Sequence, residues 1–149
     1  MPLLKVYIHF VWSTKNRKHF LDSPELRRKV WEHMLENARE KGIFIDTING
    51  YQDHCHCLIS LGKDQPVSKV LQLIKGESSH WINKKQLCQQ KFEWQEEYFG
   101  VSVSTAMVIN VREYIRNQGT HHRMTTFDEE YKLWICENNI KNDGERNLG

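Results

Sequence analysis

The sequence predicts an α+β fold, an antiparallel four-stranded sheet with helices on one face. Three observations carry that prediction. Short segments rich in Val, Ile, Tyr, Phe and Trp alternate with two long helical stripes. Their order is β-α-β-β-α-β, a split β-α-β unit written twice, with two further helices behind it. No linker divides the 149 residues, and no repeat recurs at a period of roughly 20–50 residues. Such a chain closes into a ferredoxin-like sandwich, and on this reading the second face of the sheet stays open.

Each element has its own signals. Residues 4–13 form the first strand, and the basic loop Thr14-Lys15-Asn16-Arg17-Lys18-His19 follows it. Ser23 and Pro24 supply an N-cap and a first helical position. Leu26, Val30, Met34 and Ala38 then recur at fourfold spacing, Trp31 and Leu35 widen the stripe, and Lys41-Gly42 ends it. A second strand over 43–48 runs into Asn49-Gly50, a strong turn signal. The third strand covers 55–61, with His54 at its mouth. A second helix over 66–83 presents Val67, Val70, Leu71, Ile74, Trp81 and Ile82, and Gly76 with Ser78 and Ser79 predicts a bend in its middle. The fourth strand spans 98–104. Ser104 is expected to cap a third helix that ends near Gln118, before Gly119. Thr126 to Glu129 is a capping box for a last short helix reaching about Cys136. One domain is therefore expected over residues 1–140, followed by a polar tail over 141–149.

Composition narrows the function classes. Hydrophobic residues make up 39% and charged residues 27%, the balance of a soluble globular protein. No apolar run approaches the roughly 18 residues that cross a bilayer. The first residues lack the pattern of a signal peptide. Cys55, Cys57, Cys88 and Cys136 show no disulfide spacing, so a cytoplasmic, reducing location is expected. Net charge is only +2, but residues 1–91 carry 15 Lys and Arg against 9 Asp and Glu, whereas 92–149 carry 6 against 10. A basic N-terminal two-thirds suits phosphate binding, although solvated helix faces give the same count.

The stretch Asp53-His54-Cys55-His56-Cys57-Leu58-Ile59-Ser60-Leu61 is the most informative. Strand side chains alternate faces, so Cys55, Cys57, Ile59 and Leu61 share an apolar face and His54 and His56 share the other. Two imidazoles two residues apart on one face can hold one metal ion. The cysteines point away, which argues against a zinc site made by the His and Cys residues of this strand. Two hydrogen-bonded histidines on a partly exposed strand fit the pattern as well. A Cys-His hydrolase fits it poorly, because a strand cysteine lacks an activating helix N-terminus.

The second constellation is Arg112-Glu113-Tyr114-Ile115-Arg116-Asn117-Gln118. Val108, Val111 and Ile115 form its buried stripe, and Tyr114 and Gln118 lie one turn apart at the stripe's edge. Tyr114 can reach a site beside the sheet, and Gln118 can offer an amide oxygen as a third ligand. A border tyrosine and a helix-end glutamine are the plainer reading of that pair taken alone.

Together the two motifs resemble the single-tyrosine transposases of the HUH endonuclease superfamily, including the branch associated with repetitive extragenic palindromes. The resemblance runs through HFVWSTK (9–15), DHCHCLIS (53–60), KGESSH (75–80), WQEEYFGVSVS (94–104), YIRNQ (114–118), HHR (121–123) and FDEEY (127–131). Cys55 takes the place of the family's hydrophobic residue between the histidines. By position, His54, His56 and Gln118 resemble the metal ligands, with His121 or His122 as substitutes for Gln118, and Tyr114 resembles the nucleophile. The resemblance implies cleavage and rejoining of single-stranded DNA through a 5′-phosphotyrosine, with Mg²⁺ or Mn²⁺ as cofactor. It also implies a hairpin in the DNA and a homodimer that pairs the histidine strand of one subunit with the tyrosine helix of the other. An unperturbed phenol titrates near 10, so the metal or a base must activate it. Imidazoles suit Mn, Zn or Ni better than Mg. Lys15, Arg17, Lys18, Lys69, Lys75, Arg112 and Arg116 are the candidate phosphate contacts.

Two competing functions share parts of this pattern. The β-α-β-β-α-β order also describes a non-catalytic RRM-like nucleic-acid-binding module, but the aromatic strand motif of that module is missing. A metal-dependent phosphodiesterase that uses water would keep the histidines and leave Tyr114 structural.

Overall fold

A computed structural model describes residues 3–118, which lie within one compact unit, Met1–Gln118. The predicted last helix, its capping box, His121, His122 and the polar tail lie outside the described residues. The strands are β1 (Val6–Ser13), β2 (Phe44–Gly50), β3 (His54–Leu61) and β4 (Phe99–Val103). The helices are α1 (Pro24–Glu40), α2 (Val67–Lys84) and α3 (Val108–Arg116), with 3-10 turns at Lys15–Arg17 and Thr105–Met107. Sheet order is β2-β3-β1-β4 with every neighbour antiparallel, the ferredoxin-like arrangement. Among the described residues no helix is long and apolar enough to cross a membrane.

Pattern becomes packing on the α1/α2 face. Val30, Trp31, Met34 and Ala38 of α1 are buried, as are Val70, Leu71, Ile74 and Ile82 of α2. They close on Phe10 and Trp12 of β1 and on Cys55, Cys57, Ile59 and Leu61 of β3. The Ser23 hydroxyl caps α1 by accepting from Leu26 N at 3.0 Å. Helix α2 continues through Gly76, Ser78 and Ser79. Ser78 belongs in its buried stripe because its hydroxyl donates to the Ile74 carbonyl and accepts from the Trp94 indole, each at 2.8 Å.

The structure differs from the sequence reading at three places. Asn49 and Gly50 do not turn the chain; they complete β2, opposite His56 and Cys55, and the reversal falls at residues 51–53. A Cβ on Gly50 would collide with the His54 carbonyl oxygen and stand 2.9 Å from the Trp31 ring, so this glycine serves close approach. Ser104 caps nothing with its side chain; the Thr105–Met107 turn leads into α3 instead. The second sheet face is not left open. Helix α3 lies on it, where Val108 and Ile115 meet Leu58.

Candidate active site

Strand alternation brings the imidazoles to the face that α3 covers. His54 and His56 are buried there, while Cys55 and Cys57 are buried on the opposite face. Burial pushes both thiols up, holding them protonated and unsuited to act as nucleophile or ligand. A third imidazole, His9, joins from β1. It pairs in register with Leu58, one diagonal step from His56, and its Nε2 shares a 3.0 Å hydrogen bond with His56 Nδ1. Burial lowers the His9 pKa to about 3, which keeps this ring neutral.

The His54 ring is oriented from both sides. Asp53 Oδ1 stands 2.8 Å from His54 Nδ1, and because a carboxylate only accepts, Nδ1 carries the proton. The other nitrogen, Nε2, faces Gln118 Oε1 at 3.3 Å. Gln118 is itself held by its amide NH₂, which donates to the Tyr114 carbonyl at 3.1 Å, so its oxygen is the atom turned toward the ring. Two acceptors therefore confront each other in a buried setting. A ring nitrogen and an amide oxygen facing one another form an N,O donor pair of the kind that can bind a cation.

The donor set fits a metal on chemistry: two imidazoles, one amide oxygen and the carboxylate–histidine pair that orients metal-bound rings elsewhere. Among the described residues no group of three or more His, Cys, Asp or Glu side chains is placed to hold a metal ion. Gln118 Oε1 is the oxygen that the described residues turn toward His54. Tyr114 completes the cluster, its ring centre 5.6 Å from that of His56 and 6.2 Å from that of His9.

All of these contacts form within one chain. Helix α3 packs on the sheet that carries the histidines through Val108, Ile115 and Leu58. Two polar links fix it. Arg112 makes a two-pronged ion pair with Asp46, Nε to Oδ1 at 2.8 Å and Nη2 to Oδ2 at 2.7 Å. Asn49 Nδ2 donates to the carbonyls of Ile115 and Arg116 at 3.0 and 3.1 Å.

The predicted phosphate contacts divide by location. The loop bearing Lys15, Arg17 and Lys18 leaves β1 beside Ser13, which pairs with His54, so it stands at the His54 end of the sheet. Lys15 pairs with Glu93 at 3.1 Å. Arg116 is exposed near the end of α3, and Arg112 is engaged by Asp46. Lys69 and Lys75 lie on α2, across the sheet from the imidazoles. Lys75 donates to the carbonyls of Gln95 and Glu96 in a cleft of about 570 Å³. His9, Asp53, Asp46 and Asn49 were not singled out from sequence. Only strand pairing puts His9 beside His56; the Asp-His adjacency at 53–54 was the one local signal.

Fold and site define an α+β protein in which a phenol and several metal-type donors converge on one face of an antiparallel sheet. The family model of IS200-like transposases matches residues 3–118, and the chain belongs to that family. A structure assigned as a transposase from Deinococcus radiodurans R1 is similar, with TM-score 0.63 and 20% identity over 78% of this chain and 93% of that one. So is the structure of a REP-associated tyrosine transposase bound to a REP hairpin, with TM-score 0.61 and 17% identity over 82% and 71%. No curated protein shows significant similarity.

Proposed function

We propose that this transposase cleaves and rejoins single-stranded DNA with Tyr114 as nucleophile and a divalent metal held by His54, His56 and Gln118. The observation that carries the reading is the double role of one helical turn. Tyr114 sets its ring beside His56, while Gln118, tied to the Tyr114 carbonyl, turns its oxygen to His54. Family membership supports a DNA-transposing enzyme. The similarity to a transposase holding a REP hairpin supports a hairpin in the DNA substrate.

In the first step the Tyr114 oxygen bonds to phosphorus as the bond from phosphorus to the preceding 3′ oxygen breaks. That oxygen takes up a proton and leaves as a free hydroxyl, and the 5′ end remains on the tyrosine. The phosphoester is conserved, so attack by a second 3′-hydroxyl reseals the strand without ATP. A bound Mn²⁺ or Mg²⁺ supplies charge stabilisation at the phosphate. Two imidazole donors favour Mn²⁺ of the two. His9 and Asp53 orient the ligand rings, and Lys15, Arg17, Lys18 and Arg116 are the proposed phosphate contacts. Lys69 and Lys75 are proposed to meet strand bound on the α2 side. A homodimer, as the resemblance implies, would supply two tyrosines for the two cleavages of strand exchange.

The test is incubation with labelled single-stranded DNA from the genomic flanks and Mn²⁺, followed by denaturing electrophoresis. The wild type is expected to give an SDS-stable adduct and Tyr114→Phe none, with melting temperature and DNA affinity unchanged. Cleavage at the wild-type rate by Tyr114→Phe would overturn the covalent mechanism in favour of a water-using phosphodiesterase.

A further inference from the structure

The apolar hold of helix α3 on the sheet is one small cluster, in which Val108 and Ile115 are buried and Val111 and Tyr114 partly buried, and the residues leading into it, 104–107, are exposed. A nine-residue helix has no independent stability in water, so its position depends on what grips it. The grip comes from β2. Register shifts between Ile45 and Thr47, leaving Asp46 as an inserted residue. The insertion lets Ile45 and Ile48, three residues apart, both reach the α1/α2 core, while Asp46 and Thr47 turn toward α3. Asp46, its side chain only 6% exposed, then receives both prongs of Arg112 and the Thr47 hydroxyl at 2.6 Å.

Asn49 acts at the other end of the helix. The last carbonyls of a helix have no partner within it, and Asn49 donates to two of them. Asn49 lies directly opposite His56 in the sheet, so this bond fixes the end of α3 at the level of the histidines. Arg112 stands two residues before Tyr114, and the carbonyls bonded by Asn49 belong to the two residues after it. The nucleophile is thus bracketed by two anchors on one strand.

We propose that Asp46 and Asn49 are positioning residues, a two-point clasp on β2, one point at its bulge and one beyond it, that locks the tyrosine helix onto its own chain's histidines. The proposal rests on the function given above for that site, and its role is to make each site complete in one chain. A charged two-pronged pair and a helix-end bond placed this close to the nucleophile set its distance to the phosphate, not the affinity for DNA.

Two readouts on the full chain test it. The first is hydrogen exchange across α3 in wild type and Asp46→Asn/Asn49→Ala. The second is the rate of adduct formation with Mn²⁺ at saturating and at limiting DNA. Protection over 108–116 is expected to fall while that of β1 and β3 stays. The saturated rate is expected to drop roughly 10- to 100-fold with DNA affinity unchanged. Arg112→Lys, which keeps the charge but loses the fork, should reproduce the effect from the helix side and guards against misfolding of the β2 variant. Unchanged exchange over α3 overturns the clasp whether or not DNA is cut. Lost protection with a wild-type rate overturns its positioning role. A wild type that forms no adduct counts against the transposase chemistry alone, because exchange still judges the clasp.

Discussion

Cys55 sits between two histidines, yet the three side chains do different work, because successive strand residues face opposite ways. The histidines enter the polar cluster under α3, whereas Cys55 packs against the helical core and burial keeps its thiol protonated. His54→Ala and His56→Ala are each expected to weaken Mn²⁺ binding by at least roughly tenfold, measured by calorimetry. Cys55→Ala should keep that affinity and lose stability on the order of 1 kcal/mol in denaturant titration. A metal defect in Cys55→Ala equal to that of His56→Ala would mean the thiol shares the site. The alternation was legible from DHCHC alone. The neighbour His9 was not, since a single histidine in an apolar strand says nothing until β1 and β3 are paired in register.

At the level of elements, β2 shows how tertiary contact overrides a local signal. Asn-Gly is a hairpin signal because both residues tolerate positive φ. Here neither residue turns: Gly50 pairs with Cys55, and the chain needs its missing side chain, not its backbone freedom. Gly50→Ala is therefore expected to destabilise the fold by about 1–3 kcal/mol, read from the denaturation midpoint, as the new methyl presses on the His54 carbonyl. A neutral result would show that the turn at 51–53 relaxes freely. The helices were more predictable. Ser23, Pro24 and Gly42 mark α1 by local chemistry that packing does not contradict, and α2 runs unbroken through Gly76, Ser78 and Ser79 with Ser78 buried. The β2 bulge had no such marker, because Asp46 among Ile45, Thr47 and Ile48 reads as ordinary alternation.

For the whole molecule, the proposed clasp makes a site complete within one chain the expected outcome. Mixing a His54→Ala/His56→Ala protein with Tyr114→Phe tests this. Every site in such a mixture carries a defect when strand and helix come from the same chain, so no adduct is expected at any ratio. Partial recovery would show that the helices exchange between subunits.

The sequence by itself determined the segment order, the ferredoxin-like sandwich, the opposed faces of the DHCHC strand and the pairing of Tyr114 with Gln118 on one helical edge. These follow from periods of 2 and 3.6 residues and from caps, which are properties of neighbours in the chain. Tertiary structure decided the rest: that α3 covers the second sheet face, that His9 bonds to His56, and that Asp46 and Asn49 bond to α3. Those facts depend on strand register and on ion pairs between residues some 66 positions apart, such as Asp46 and Arg112. No local period encodes such a distance; only the packing of α3 on the sheet brings the two residues together.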